Sequence, residues 1–127
     1  MRLRAIISKE GPGASGGYSQ AVEVSGGERT LYVSGQIPVG QDGSTPKSFA
    51  EQARLAWTNV EAQLVAADMS FDNIVKHTTF LADRRYRDEN SKIRREVLGD
   101  RAPALTVVIA TIYDEQWLLE IEAIAMA

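Results

Sequence analysis

The C-terminal segment, residues 117–126, constrains the fold most, because it predicts a strand with one wholly apolar face and a second face that carries two glutamates among large apolar side chains. Side chains alternate between the two faces of a strand. One face therefore carries Trp117, Leu119, Ile121, Ala123 and Ala125, and the other carries Leu118, Glu120, Glu122, Ile124 and Met126. The first set suits a cover of helices, whereas the second is too apolar to face bulk water, and exposed apolar patches usually mark an interface. We therefore predict an oligomer assembled through the sheet face, with Glu120 and Glu122 near a subunit boundary.

Two helices are predicted upstream of this strand. Ser48 and Glu51 fit a capping box at the start of the first helix, and apolar residues then recur at spacings of three and four as far as Ala67. The second helix is predicted over residues 85–98, and Gly99 has the position of a helix-ending glycine.

The remaining strands are predicted at residues 2–7, 21–24, 30–35, 74–81 and 105–112. Residues 21–24 and 30–35 flank a glycine-containing turn, so we expect them to pair as a hairpin. The element order βββ-α-β-α-ββ predicts a two-layer α+β architecture, in which two helices cover one face of a single mixed sheet.

Composition limits the chemistry that the chain can perform. The 127 residues suit one domain, and no apolar run approaches the ~18 residues of a membrane span. With no cysteine and one histidine, His77, we expect no metal site, and a formal net charge of −3 disfavours nucleic acid as a partner. The N-terminal apolar run is too short for a secretory signal, so we expect a cytoplasmic enzyme or binding protein.

Four ordered segments together resemble the Rid family, the reactive intermediate deaminases, also called the YjgF or endoribonuclease L-PSP family. They are Gly17-Tyr18-Ser19-Gln20-Ala21, Val33-Ser34-Gly35-Gln36-Ile37-Pro38, Gln52-Ala53-Arg54 with Asn59-Val60, and Glu120-Ile121-Glu122-Ala123-Ile124-Ala125. The match spans nearly the whole chain and makes residues 1–127 a single Rid-family domain. The resemblance implies a chorismate-mutase-like fold and a homotrimer with sheets inward and helices outward. It also implies clefts between subunits that hydrolyse imines or enamines, such as 2-aminoacrylate, to a keto acid and ammonia without a cofactor.

The resemblance also implies roles for individual residues. Glu120 matches the glutamate that positions or activates the attacking water, and Tyr18 matches the tyrosine that borders the pocket. Ser34 and Gly35 match the strand end at which the backbone meets the ligand. Asn90 falls close to a further position near the pocket.

One departure from the family pattern affects the substrate. The deaminases carry an arginine in a Pro-Ala-Arg segment, where it binds the substrate carboxylate, but this chain has Pro103-Ala104-Leu105. Leu105 and Val107 would make the pocket apolar, so activity on 2-aminoacrylate-type substrates is doubtful. Arg101 could supply a cation, although a solvated arginine is the simpler interpretation. The tyrosine loop also departs, because Gly16-Gly17-Tyr18 stands where Gly-Pro-Tyr is usual.

Three functions remain open from the sequence. The first is hydrolysis of an imine or enamine that lacks the usual carboxylate, with Glu120 and Tyr18 as the catalytic residues. The second is a non-catalytic trimeric protein that binds or senses a small metabolite. The third, an endoribonuclease, is disfavoured, because the basic residues of segment 83–101 alternate with acidic ones as on a solvated helix face.

Overall fold

The computed structural model describes residues 1–14 and 16–127. Its helices are α1 (Phe49–Ala66) and α2 (Arg87–Leu98), with short 3-10 turns at Phe71–Asn73 and Arg84–Tyr86. Its strands are β1 (Arg2–Ile6), β2 (Ala21–Ser25), β3 (Thr30–Gln36), β4 (Ile74–Leu81), β5 (Ala104–Ile109) and β6 (Leu119–Met126). Among the described residues, no helix is both long enough and apolar enough to cross a membrane.

The main sheet has four strands in the order β3-β6-β4-β5. Strand β6 pairs antiparallel with both β3 and β4, whereas β4 and β5 run parallel. The sheet is therefore mixed, and the expected α+β class is confirmed. Because β6 lies between β3 and β4, its side chains project from the interior of the sheet.

The predicted hairpin of residues 21–24 and 30–35 is wrong, and so is the single sheet. Strand β2 pairs with β1 in a separate two-stranded sheet, whereas β3 pairs with β6. The chain's last residue explains the second pairing, because the backbone N–H groups of Glu28 and Arg29 both donate to the carbonyl of Ala127. These bonds fix the entry to β3 against the end of β6.

Helix α1 begins where the sequence predicts. The hydroxyl of Ser48 accepts a hydrogen bond from the backbone N–H of Glu51 at 3.2 Å. Buried residues of the helix, among them Trp57, Val60 and Leu64, form the core with the inner face of the sheet. Helix α2 ends at Gly99, whose φ of 61° favours glycine.

The two faces of β6 differ as the alternation predicts. Leu119, Ile121, Ala123 and Ala125 are buried under the helices, while the opposite side chains are partly or fully exposed. The exposed side is called the outer face below. On neighbouring β3, Tyr32 is 76% exposed on this face, which no element of the described chain covers.

Candidate functional site

Glu120 lies on the outer face, directly over the backbone of Gly35. The register between β3 and β6 runs from Val33 opposite Ala123 to Gln36 opposite Ile121, so β3 contains one extra residue, a β-bulge, at Ser34–Gly35. A Cβ atom on Gly35 would lie 2.7 Å from Cδ of Glu120, which is closer than real Cβ contacts. Glycine at this bulge therefore creates the space that the Glu120 side chain occupies.

Gln52 holds the strand that carries Glu120. Its buried side chain accepts a hydrogen bond from the backbone N–H of Leu118 at 2.8 Å and donates to the carbonyls of Gln116 at 3.0 Å and Pro46 at 2.8 Å. These bonds tie the entry to β6 to helix α1. The Gln52 motif of the family resemblance thus has a positioning role.

A cavity of about 330 Å³ opens on the outer face between β3, β4 and β6. Its lining includes Tyr32, Ser34, Lys76, Thr78 and Glu122. The ammonium group of Lys76 donates a hydrogen bond to the hydroxyl of Thr106 at 2.6 Å, which directs it toward β5. Polar groups of several kinds therefore adjoin the Ser34–Gly35 bulge.

Leu105 and Val107 lie on the opposite, helix-facing side of the sheet. Leu105 is the register partner of His77, and Val107 is the register partner of Thr79. His77 and Thr79 are both buried against the core. Val107 is partly exposed and lines a cavity of about 360 Å³ with Leu81, Arg84, Arg87 and Ile109.

Tyr18 and Asn90 are found with this second group. The loop before Tyr18 lies against helix α2, because a Cβ atom on Gly17 would be 3.5 Å from Nη2 of Arg94. Asn90 is buried one helical turn before Arg94. The backbone N–H of Ser19 donates to the carbonyl of Pro103 at 3.0 Å, which places the loop beside the start of β5.

The cations of segment 83–101 are not all solvated as the sequence predicts. Arg101 is partly exposed and pairs with Asp72 at an Nε–Oδ1 distance of 2.6 Å, so its charge is already used at the surface. Arg94, in contrast, is only 6% exposed, which corrects the expectation for this residue. The sequence does not predict this burial, although the spacing of four residues between Asn90 and Arg94 puts the two side chains on one helix face.

His77 is fully buried, with its ring edge-on to Trp57 at a centroid distance of 5.2 Å. Burial first, then the positive charges of Arg94 and Lys76, lower the pKa of His77 to about 3. The ring is therefore neutral at physiological pH. Among residues 1–14 and 16–127, no cluster of three histidine, cysteine or acidic side chains is arranged to hold a metal ion.

The predicted site residues thus form two groups on opposite faces of one sheet. Glu120, Ser34 and Gly35 share the outer face, whereas Tyr18, Asn90, Leu105 and Val107 lie on or beside the helix-facing side. A single chain does not bring Glu120 and Leu105 together.

Substituting Gly35 by alanine is expected to displace the Glu120 carboxylate without unfolding the protein. The atoms that the new methyl group meets are the end of a flexible side chain, which can rotate away. A displacement of about 1 Å can reduce a catalytic rate about 100-fold. The catalytic rate and the melting temperature of Gly35→Ala should be compared with those of a control variant, Gly27→Ala. The new Cβ atom of the control would make an ordinary 3.5 Å contact with Met126. Equal activity of both variants would show that the position of Glu120 is irrelevant.

Comparison with known proteins agrees with these features. A family model described as Endoribonuclease L-PSP matches residues 8–127. The chain is 36% identical to the human protein named 2-iminobutanoate/2-iminopropanoate deaminase, over 97% of this chain and 89% of that protein. It is 38% identical to the rat protein of the same name, over 98% and 90% of the two chains. The crystal structure of Escherichia coli TdcF with bound serine superposes with a TM-score of 0.73 at 33% identity, covering 98% of each chain. This chain therefore belongs to the endoribonuclease L-PSP (Rid) family, as its sequence motifs predict.

Proposed function

We propose that this protein hydrolyses a small imine or enamine and releases ammonia. Water adds to the carbon of the C=N bond, and the resulting amino alcohol collapses to a carbonyl compound and ammonia. Glu120 accepts a proton from the attacking water and returns one to the departing nitrogen. The observation that carries this proposal is the Glu120 carboxylate held over the Gly35 bulge, where backbone and carboxylate adjoin an open face.

The complete cleft is proposed to lie between subunits of a homotrimer. Glu120 and Leu105 project from opposite faces of the same sheet, so two chains are needed to place them around one ligand. The uncovered outer face, with its exposed Tyr32, supports assembly through the sheet. Tyr18 and Asn90 would border the cleft from the Leu105 side.

Leu105 shapes the proposed substrate preference. An aliphatic side chain cannot donate a hydrogen bond to a carboxylate, so residue 105 itself supplies no cation to the substrate. With Val107 on the same strand, Leu105 provides apolar contact for the carbon chain of the substrate. A substrate without a carboxylate at that place fits such a surface.

A non-catalytic binding protein is the alternative. It predicts that ligands raise the melting temperature and are recovered unchanged. The relatives that match most of the chain carry imine deaminase names, and this supports hydrolysis instead.

The proposal is tested by trapping. An amino-acid oxidase generates a carboxylate-bearing imine, and an amine oxidase generates an uncharged imine. Semicarbazide in each reaction captures the imine that has not been hydrolysed. We expect the protein to lower semicarbazone yield and to speed ammonia release above the spontaneous rate. No acceleration with either imine would refute hydrolysis and leave the binding alternative.

Replacing Leu105 by arginine is expected to shift this preference toward the carboxylate-bearing imine. One charge-assisted hydrogen bond stabilises by about 1.5–3 kcal/mol, so the ratio of kcat/KM for the two imines should rise about tenfold or more. Leu105→Met, which keeps an uncharged side chain of similar size, is the control. The same ratio for both variants would mean that position 105 does not contact the substrate.

A further inference from the structure

Arg94 is a buried cation without a counter-charge. Its side chain is 6% exposed, and no carboxylate in residues 1–14 and 16–127 lies within ion-pair distance of it. Among the described residues its one side-chain partner is the hydroxyl of Ser91, a long contact of 3.4 Å from Nη2. The Nε atom is buried and has no hydrogen-bond partner among the described residues.

The described side chains near Arg94 are polar, and none of them forms an ion pair with it. Asn90 is buried on the same helix face, and His77 is fully buried with neither ring nitrogen bonded to a described residue. Burial and then the charge of Arg95 lower the pKa of Arg94, and the nearby Tyr18 acts in the opposite direction. The side chains of Asn90, His77 and Tyr18 thus lie near the Arg94 guanidinium and make few hydrogen bonds with one another.

Such an arrangement is energetically costly. Buried charges in proteins are normally paired, and each buried unpaired polar atom calls for an explanation. A bound anion would satisfy the guanidinium, whose planar fork matches a carboxylate in geometry. The adjoining loop passes beside the guanidinium, because a Cβ atom on Gly17, whose φ of 74° favours glycine, would lie 3.5 Å from Nη2 of Arg94.

We propose that Arg94 binds the carboxylate of a small 2-imino or 2-oxo acid between helix α2 and the loop of residues 16–18. The proposal rests on the proposed function for the identity of the ligand, although anion binding is measurable without turnover. The carboxylate then lies over the helix-facing side of the sheet, near Tyr18 and the start of β5. The C=N carbon, which is bonded directly to the carboxylate carbon, then faces Leu105 and the Glu120 of a neighbouring chain. The substrate keeps its carboxylate, but the cation that binds it comes from a helix and not from β5.

Binding of 2-oxobutanoate, the keto acid that hydrolysis of 2-iminobutanoate yields, tests the proposal, with 2-butanone as the uncharged probe. Isothermal titration should show that Arg94→Gln weakens 2-oxobutanoate binding about 10- to 100-fold, as expected for loss of a charge-assisted contact. Binding of 2-butanone should not change. Lys92→Gln, which removes an exposed charge of the same helix, should alter the 2-oxobutanoate Kd less than about twofold. Arg94→Lys should restore part of the affinity.

Stability provides a second measurement. Removing an unpaired buried charge should leave the melting temperature of ligand-free Arg94→Gln equal to or above that of the native protein. A lower melting temperature together with unchanged 2-oxobutanoate affinity would make Arg94 a structural residue and overturn the assignment. Failure of 2-oxobutanoate to bind the native protein would overturn it as well. A third outcome separates the two proposals. If Arg94→Gln loses 2-oxobutanoate binding but the native protein releases no ammonia from imines, the hydrolase is refuted and the anion site is supported.

Discussion

Replacing Glu120 by glutamine should slow imine hydrolysis about 100- to 10,000-fold, the range typical of a lost general acid or base. Glutamine has nearly the same shape as glutamate and leaves room for Gly35, so the bulge and the packing of β6 should persist. What disappears is the ability to accept a proton from water at neutral pH. The effect should fall on kcat, because the substituted group acts on the reacting atoms, while binding of 2-oxobutanoate should be nearly unchanged.

Glu122→Gln is the matched control for this experiment. Glu122 lies on the same outer face two residues later, is exposed, and is the register partner of Thr78. Removing its charge should change the rate of ammonia release less than about threefold. If both glutamine variants retain native activity, Glu120 has no proton-transfer role and another group must serve as base.

Acid should destabilise the fold through His77 before most carboxylates are protonated. In the unfolded chain the imidazole takes up a proton near pH 6.5, whereas in the folded chain burial, Arg94 and Lys76 lower the pKa of His77 to about 3. The unfolded state therefore binds more protons between these values, and stability is present in full above pH 6.5 and falls as the pH drops toward 3. The slope approaches about 1.4 kcal/mol per pH unit, so a loss of about 2 kcal/mol is expected between pH 7 and pH 5.

Urea denaturation at several pH values measures this loss. His77→Phe keeps an aromatic ring beside Trp57 and removes the titrating group, so its free energy of unfolding should vary much less over the same interval. The difference between the two slopes isolates the histidine from the other titrating groups. Parallel slopes would mean that His77 takes up its proton in the folded state as readily as in the unfolded one.

Local patterns in the sequence predict much of the fold but not which strands pair. Ser48 marks the start of α1 and Gly99 the end of α2, because both features depend on neighbouring residues only. The alternation predicts correctly which side chains of β6 are buried, whereas Trp117, which it also assigns to the buried face, lies before the strand and is half-buried. The pairing of β3 with β6 depends on bonds between Arg29 and Ala127, which are far apart in sequence and leave no local signal.

The site divides in the same way. Motifs predict that Gly35 and Glu120 matter, and their contact across β3 and β6 gives a physical reason for glycine at the bulge. The pairing of Arg101 with Asp72 and the burial of Arg94 depend on tertiary packing. A helix rich in both signs of charge predicts a solvated surface, so its single buried arginine could be recognised only from the structure.

If the proposed cleft lies between subunits, the separation of Glu120 and Leu105 onto opposite faces of one sheet would make activity depend on concentration. If the reacting bond lies between chains, an isolated subunit holds two incomplete halves, each correctly folded. Dilution below the dissociation constant of the assembly would then abolish turnover by mass action without unfolding any chain. Below that threshold the rate would rise more steeply than in proportion to the amount of protein, so the level of synthesis would decide whether the enzyme is active.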